Sequence, residues 1–233
     1  MAPVFSGAEI EVILLSLKVS TMCTLVNLVP GVITGYVLGR YRFRGRQLIN
    51  ALVHLPLVLP PVVVGLILIE LFGSRGPIGK ILAGMAINII FTWKAAVLAA
   101  AIMGFPLVVR SVRTAFELVD RRLEEAAATL GAGPFKVFFT VTLPLSLPGI
   151  IAGTLLSFAR SLGEFGATIT FSGNIIGETR TLPLAIYTYI QLPDGGSAAA
   201  RLALLSVLIS VLAVLLSEYL SEKVLAQRGV HNA

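Results

Sequence analysis

The sequence predicts an all-α integral membrane protein with five transmembrane helices and one short polar helix between two of them. Three observations predict this. Of the 233 residues, 56% are hydrophobic and only 13% are charged, where a soluble domain carries about 25% charged residues. Mean hydropathy is +0.92. The apolar runs are long and lack period-2 alternation, and helices then remain the way to satisfy backbone groups in lipid.

A helix needs about 20 apolar residues to cross the hydrocarbon. Residues 12–39, 48–72, 86–109, 148–171 and 202–225 meet that requirement. Trp93 and Lys94 interrupt the third stretch, so its span can begin as late as Lys94. The first stretch follows Glu9 and Glu11 without a preceding Lys or Arg and outlasts a signal-peptide core, so a retained span is expected. Cys23 is the single cysteine. It permits no intrachain disulfide or cysteine metal site and reads as a small buried hydrophobe.

Net charge is +6 and the pI about 9.8. Topology explains this better than a nucleic-acid partner does, since Lys and Arg gather in loops that stay inside. Arg40-Tyr41-Arg42-Phe43-Arg44-Gly45-Arg46 follows the first span. Arg110, Arg113, Arg121, Arg122 and Lys136 lie between the third and fourth, and the tail 223–233 holds Lys223 and Arg228. The other side has Arg75, Lys80, Arg180 and Arg201, with none at the N-terminus. The N-terminus is therefore expected outside and the C-terminus in the cytoplasm.

Two segments interrupt the simple pattern. His54-Leu55-Pro56-Leu57-Val58-Leu59-Pro60-Pro61 places three prolines in the second span. Each costs a helix interior about 3 kcal/mol, so a kink or break is expected, either lining a pathway or serving packing alone. On the outer side, Thr181–Ile190 is apolar but too short to cross, bracketed by Pro183 and the Pro193-Asp194-Gly195-Gly196 turn. A re-entrant or interfacial helix is expected there.

The cytoplasmic loop 119–144 carries the most specific pattern. Asp120 suits an N-cap, the run from Arg121 to Leu130 is rich in helix formers, and Gly131 suits the left-handed position beyond the helix end. Leu123, Ala126, Ala127 and Leu130 form one narrow apolar stripe. About ten residues are marginal alone in water, so the helix needs a surface. That surface is either a groove on another protein, with the flanking glutamates meeting basic groups there, or the membrane interface.

Glu125-Ala126-Ala127, then Gly131, then Val141-Thr142-Leu143-Pro144 resembles the EAA loop of bacterial importer permeases of the ATP-binding-cassette type. Val141 in place of isoleucine is the single departure. The stretches 54–65, 122–133 and 158–168 resemble the molybdate permeases within that class, over about residues 11–222. The resemblance implies a type I importer transmembrane domain and a homodimer. It also implies two ATPase subunits inside, a molybdate-binding protein outside, and coupling to the ATPase through Glu124, Glu125, Ala126, Ala127 and Gly131. ATP and Mg would sit on the partner ATPase, with no cofactor on this chain. Tungstate and sulfate are the alternative cargoes.

Ser157, Ser161, Glu164 and Thr168 lie at i, i+4, i+7 and i+11 of the fourth span, one face of a continuous helix, and Arg160 can pair with Glu164. A mid-membrane charge costs about 2.5–3.5 kcal/mol, so these residues are expected to line the pathway for an oxyanion. A helix-packing seam, favoured by Gly153, Ala159 and Gly163, explains the pattern equally. His54 reads as a lone interfacial ring, and Lys18 and Glu70 as snorkelling charges. Glu178 to Arg180 read as an outer loop, either solvated or meeting a delivering protein. There is no G-x-x-x-x-G-K-[ST] motif and no catalytic constellation, so the chain is not expected to be an enzyme. A passive ion channel is the rival from another class, and a channel has no use for the docking helix.

Overall fold

Helix α1, Gly7–Arg40, opens with reciprocal capping: Ser6 N–H donates to Glu9 Oε2 at 2.6 Å, and Glu9 N–H donates to Ser6 Oγ at 3.3 Å. The computed structural model describes residues 5–226, so residues 227–233 of the tail, with Arg228, lie outside the described residues. Along α1 the buried positions include Ser16, Ser20, Cys23, Asn27, Gly31 and Gly35, spaced by threes and fours. This small and polar stripe lets a neighbour approach closely. A Cβ on Gly31 or Gly35 would lie 2.6 Å from Cγ1 of Val108 or Val112.

That neighbour is α5, Trp93–Leu118, with 67% of its apolar window buried. Its start at Trp93 lies where Trp93 and Lys94 interrupt the expected third span, and the helix runs on past that span to Leu118. Residues 86–92 are not helical, and Ala86 and Phe91 hold left-handed backbone at φ 57° and 59°. A short helix, α4 (Pro77–Gly84), precedes them.

The second stretch divides into α2, Arg46–Val58, and α3, Pro61–Phe72, bent by 112°. The cause is local. Pro60 and Pro61 lack N–H donors and push the residue before each into extended backbone, and Leu59 and Pro60 sit at ψ 144° and 130°.

After the docking helix α6 (Arg121–Thr129), the chain returns through α7 (Pro134–Val137) and a π turn (Phe138–Thr142). It then enters α8, Leu143–Leu162. The fourth span is not one helix. It begins earlier than expected, stops at Leu162, and resumes as α9, Gly166–Phe171. Helix α10, Leu182–Ile190, buries Leu182, Leu184 and Ala185 where a short outer helix was expected. The last helix, α11, is Gly196–Ala226.

Among the described residues four helical stretches are long and apolar enough to cross a membrane, or five if the bent α2–α3 pair is counted as one span. Val64, Leu68, Ala99, Met103 and Phe171 join α3, α5 and α9 at one end. Val108, Val112, Phe116 and Ile150 join α5 and α8 at the other.

Candidate functional site

Helix α6 forms where its caps demand. Asp120 Oδ1 accepts from Arg122 N–H at 2.9 Å. At the far end Ala132 N–H donates to Ala127 O at 3.1 Å and Gly131 N–H to Ala128 O at 3.0 Å. These paired bonds need left-handed backbone, and Gly131 supplies it at φ 84°. No residue of α6 is buried. Leu123 is 49% exposed and Leu130 is 89% exposed, with Phe135 and Phe139 also exposed beyond them. An apolar stripe therefore stands clear of the bundle on a helix too short to be stable by itself.

Glu124 and Glu125 part company here. Glu125 is exposed and makes no ion pair among the described residues. Glu124 turns back onto its own chain. It pairs with Arg40 at the end of α1, and its Oε1 accepts the Thr142 hydroxyl at 2.5 Å. The arginines read as topology markers also make specific contacts. Arg46 Nε donates to Leu38 O at 2.8 Å, and Arg46 and Arg113 both pair with Glu117, at 3.2 and 2.8 Å. Below them Tyr36 packs edge-on to Phe116 and Phe138, with ring centroids 5.0 and 5.1 Å apart. The sequence pattern gave no sign of Arg40 and Thr142 as partners. A basic residue ending a helix 84 positions from a carboxylate has no local spacing to betray it.

The five residues expected along the pathway separate. The helix breaks at Gly163, so Ser157, Ser161, Glu164 and Thr168 do not lie on one continuous helix. All four are buried within the protomer. Ser157 Oγ lies 3.5 Å from Asn27 Nδ2, and a Cβ on Gly104 would come within 2.6 Å of that oxygen. The Ser161 hydroxyl donates to Phe158 O at 2.8 Å and that of Thr168 to Phe165 O at 2.9 Å. Glu164 Oε1 accepts from Ala167 N–H at 2.9 Å in the first turn of α9, and its Oε2 lies 2.8 Å from Arg160 Nη1. Arg160 alone of the five reaches the surface, with 31% of its side chain exposed.

Arg160 lies in sequence between Leu156 and Gly163, which line two different clefts. A cleft of about 840 Å³ between α5 and α8, near the docking helix, is lined by Arg110, Ser111, Thr114, Leu123 and Leu156 among others. A second, of about 630 Å³, is lined by Gly163, Phe165, Tyr187 and residues of α11. Leu156 and Arg160 are four apart and share one face of α8, and Gly163 caps that helix at its end.

Other singled-out residues find ordinary partners. His54 Nδ1 lies 2.8 Å from Asn50 O. Lys18 Nζ sits 3.7 Å from the Trp93 ring centroid, a cation–π contact. Glu178 accepts from Trp93 N–H at 3.3 Å, and Glu9, buried at 1%, pairs with Arg201 at 2.8 Å.

Several apolar helices, one of them broken, with a capped polar helix presented at one end, define a polytopic membrane subunit. Its fold is that of type I importer transmembrane domains. A chain of the methionine transporter MetNI, in inward-facing conformations, superposes with a TM-score of 0.73 at 18% identity, covering 94% of this chain and 99% of that one. Residues 31–226 match the model of the binding-protein-dependent transport system inner membrane component family, and the chain belongs to that family. It is 54% identical over 219 residues to a molybdenum transport system permease protein of Escherichia coli K12, covering 94% of this chain and 96% of the relative. A sulfate transport system permease protein of Salmonella typhimurium is 42% identical over 185 residues, covering 79% of this chain and 67% of the relative.

Proposed function

We infer that this chain is the membrane permease subunit of an ATP-driven importer, and that its cargo is molybdate. One observation carries the cargo: identity to a molybdenum permease is 54% over almost the whole length, against 42% over a shorter stretch for a sulfate permease. Tungstate, of the same charge and shape, is the second reading.

The chain works as a homodimer. A five-span protomer has little room for a complete internal pathway, and a two-fold partner completes it. Two ATPase subunits engage the exposed stripe of α6 through Leu123, Ala126, Ala127 and Leu130, with Glu125 on its flank and Gly131 fixing the helix end. ATP and Mg bind on those subunits, and this chain binds no cofactor. A molybdate-binding protein delivers the cargo from outside. Arg40, Arg46, Arg113 and the docking helix share one end of the bundle, which supports a cytoplasmic C-terminus and an N-terminus outside.

The pathway runs past Leu156, Arg160 and Gly163, between the two clefts. Arg160 presents the cation to the oxyanion, while Ser157, Ser161, Glu164 and Thr168 hold α8, α9 and α1 in place behind it. Closure of the ATPase pair moves both docking helices, and the clefts open in alternation.

The test is uptake into vesicles holding the assembled complex, with labelled molybdate competed by tungstate and by sulfate. Molybdate should enter only with ATP, and excess sulfate should leave its uptake intact. Uptake that survives loss of ATPase activity would mean a channel. Suppression by sulfate at molybdate's own concentration would make sulfate the cargo.

A further inference from the structure

We propose that Arg40 is a positioning residue which, through Glu124, ties the docking helix to the membrane bundle and passes the motor's movement into it. This rests on the importer reading above.

Helix α6 buries no residue, so its placement depends on few contacts, and most of them meet at one carboxylate. Arg40 is the last residue of α1, and its side chain is 10% exposed although it lies in an arginine-rich loop. It pairs with Glu124, and its Nη1 donates to Val119 O at 3.4 Å, just ahead of the N-cap Asp120. Arg121 returns the contact, donating to Arg40 O at 3.4 Å. The same Glu124 oxygen accepts the hydroxyl of Thr142, a buried residue closing the π turn that leads into α8. One side chain of the docking helix thus holds α1 and α8 together.

The neighbouring Arg42 and Arg44 are exposed and make no ion pair among the described residues. The clasp is therefore particular to Arg40 and not a property of a basic loop. The covalent route out of α6 is longer, since it runs through the capped turn 130–133 and α7 before it reaches the π turn. A push on the exposed stripe reaches α1 and α8 through Glu124 more directly than through that turn. The π turn beside it is of a kind frequently found at functional sites.

The experiment uses the complete complex of permease, ATPase and binding protein in proteoliposomes, and reads molybdate imported per ATP hydrolysed. Arg40→Gln and Glu124→Gln should each keep ATP hydrolysis while the ratio falls about tenfold, within the range of coupling energies between sites. Arg40→Lys should restore most of the ratio. Thr142→Val, which removes a single hydroxyl, should move it in the same direction by less and covers the case that a charge variant fails to assemble. A merely structural clasp would lower assembled complex, hydrolysis and uptake together and leave the ratio unchanged; that result overturns the proposal, as does a wild-type ratio in both Gln variants. Lack of molybdate uptake by the unaltered complex strikes the cargo reading instead, and it shows before any variant is made.

Discussion

The side chain of Glu164 is 1% exposed while its partner Arg160 keeps 31%, so the two halves of the pair should answer differently to substitution. Removing Arg160 strands a buried carboxylate whose other oxygen has only Ala167 N–H. Removing one partner of a buried pair costs about 3–5 kcal/mol. Glu164→Gln keeps an oxygen for that N–H and leaves an arginine that can turn to water, at a cost nearer ~1 kcal/mol. Arg160→Ala should therefore lower the melting temperature of the dimer in nanodiscs well beyond Glu164→Gln. The asymmetry also tests the pathway. It requires water beside Arg160, and equal losses would place that guanidinium against lipid or a dry interface.

At the scale of elements, what was legible had local chemistry and what was not depended on distant partners. The docking helix could be read because Asp120, the alanine-rich run and Gly131 each act within a turn or two. The break at Leu59-Pro60 could be read because proline acts on its own backbone. The break in the fourth span was missed, although Gly163-Glu164-Phe165-Gly166 holds its cause. Two glycines weaken the helix there, and Glu164 then serves the first turn of α9. Four polar residues at helical spacing suggested an unbroken face and drew attention from those glycines. Arg160 belongs to the five residues expected along the pathway, and on α8 it shares a face with Leu156. The seam on α1, formed by Ser16, Ser20, Cys23, Asn27, Gly31 and Gly35, lies inside a long apolar run, where the sequence marks only Cys23 as a buried residue. Their spacing, four residues at every step but one of three, places them on one helix face. This seam makes a strong demand at Gly35, where any Cβ meets Val112. Gly35→Leu should part α1 from α5 and lower the melting temperature, at an overpacking cost of about 1–3 kcal/mol or more. Gly45, where a Cβ meets nothing within 4 Å, is a poor control because its φ is 90°. Gly84→Leu, in open space and without that strain, should leave the transition in place.

For the whole molecule, the importer reading requires that α6 be covered in the assembled machine and uncovered in the isolated permease. The chain's cysteine content makes this measurable. Cys23 is fully buried, so a thiol reagent added to the folded permease meets only a cysteine introduced elsewhere. Leu130→Cys places the thiol at an 89% exposed position on the docking stripe. Arg44→Cys places one on the same end of the bundle, in the exposed loop after α1. A membrane-impermeant maleimide applied from the cytoplasmic side should label both in the permease alone. Once the ATPase subunits assemble, labelling at position 130 should fall sharply while that at 44 persists. The two sites share the end of the bundle, so a difference between them reports coverage of the stripe and not general crowding. Reagent applied from the outside of sealed vesicles in the native orientation should reach neither, which fixes the side on which the motor sits. Equal labelling at 130 with and without ATPase would leave the exposed stripe without a partner and return α6 to the membrane interface.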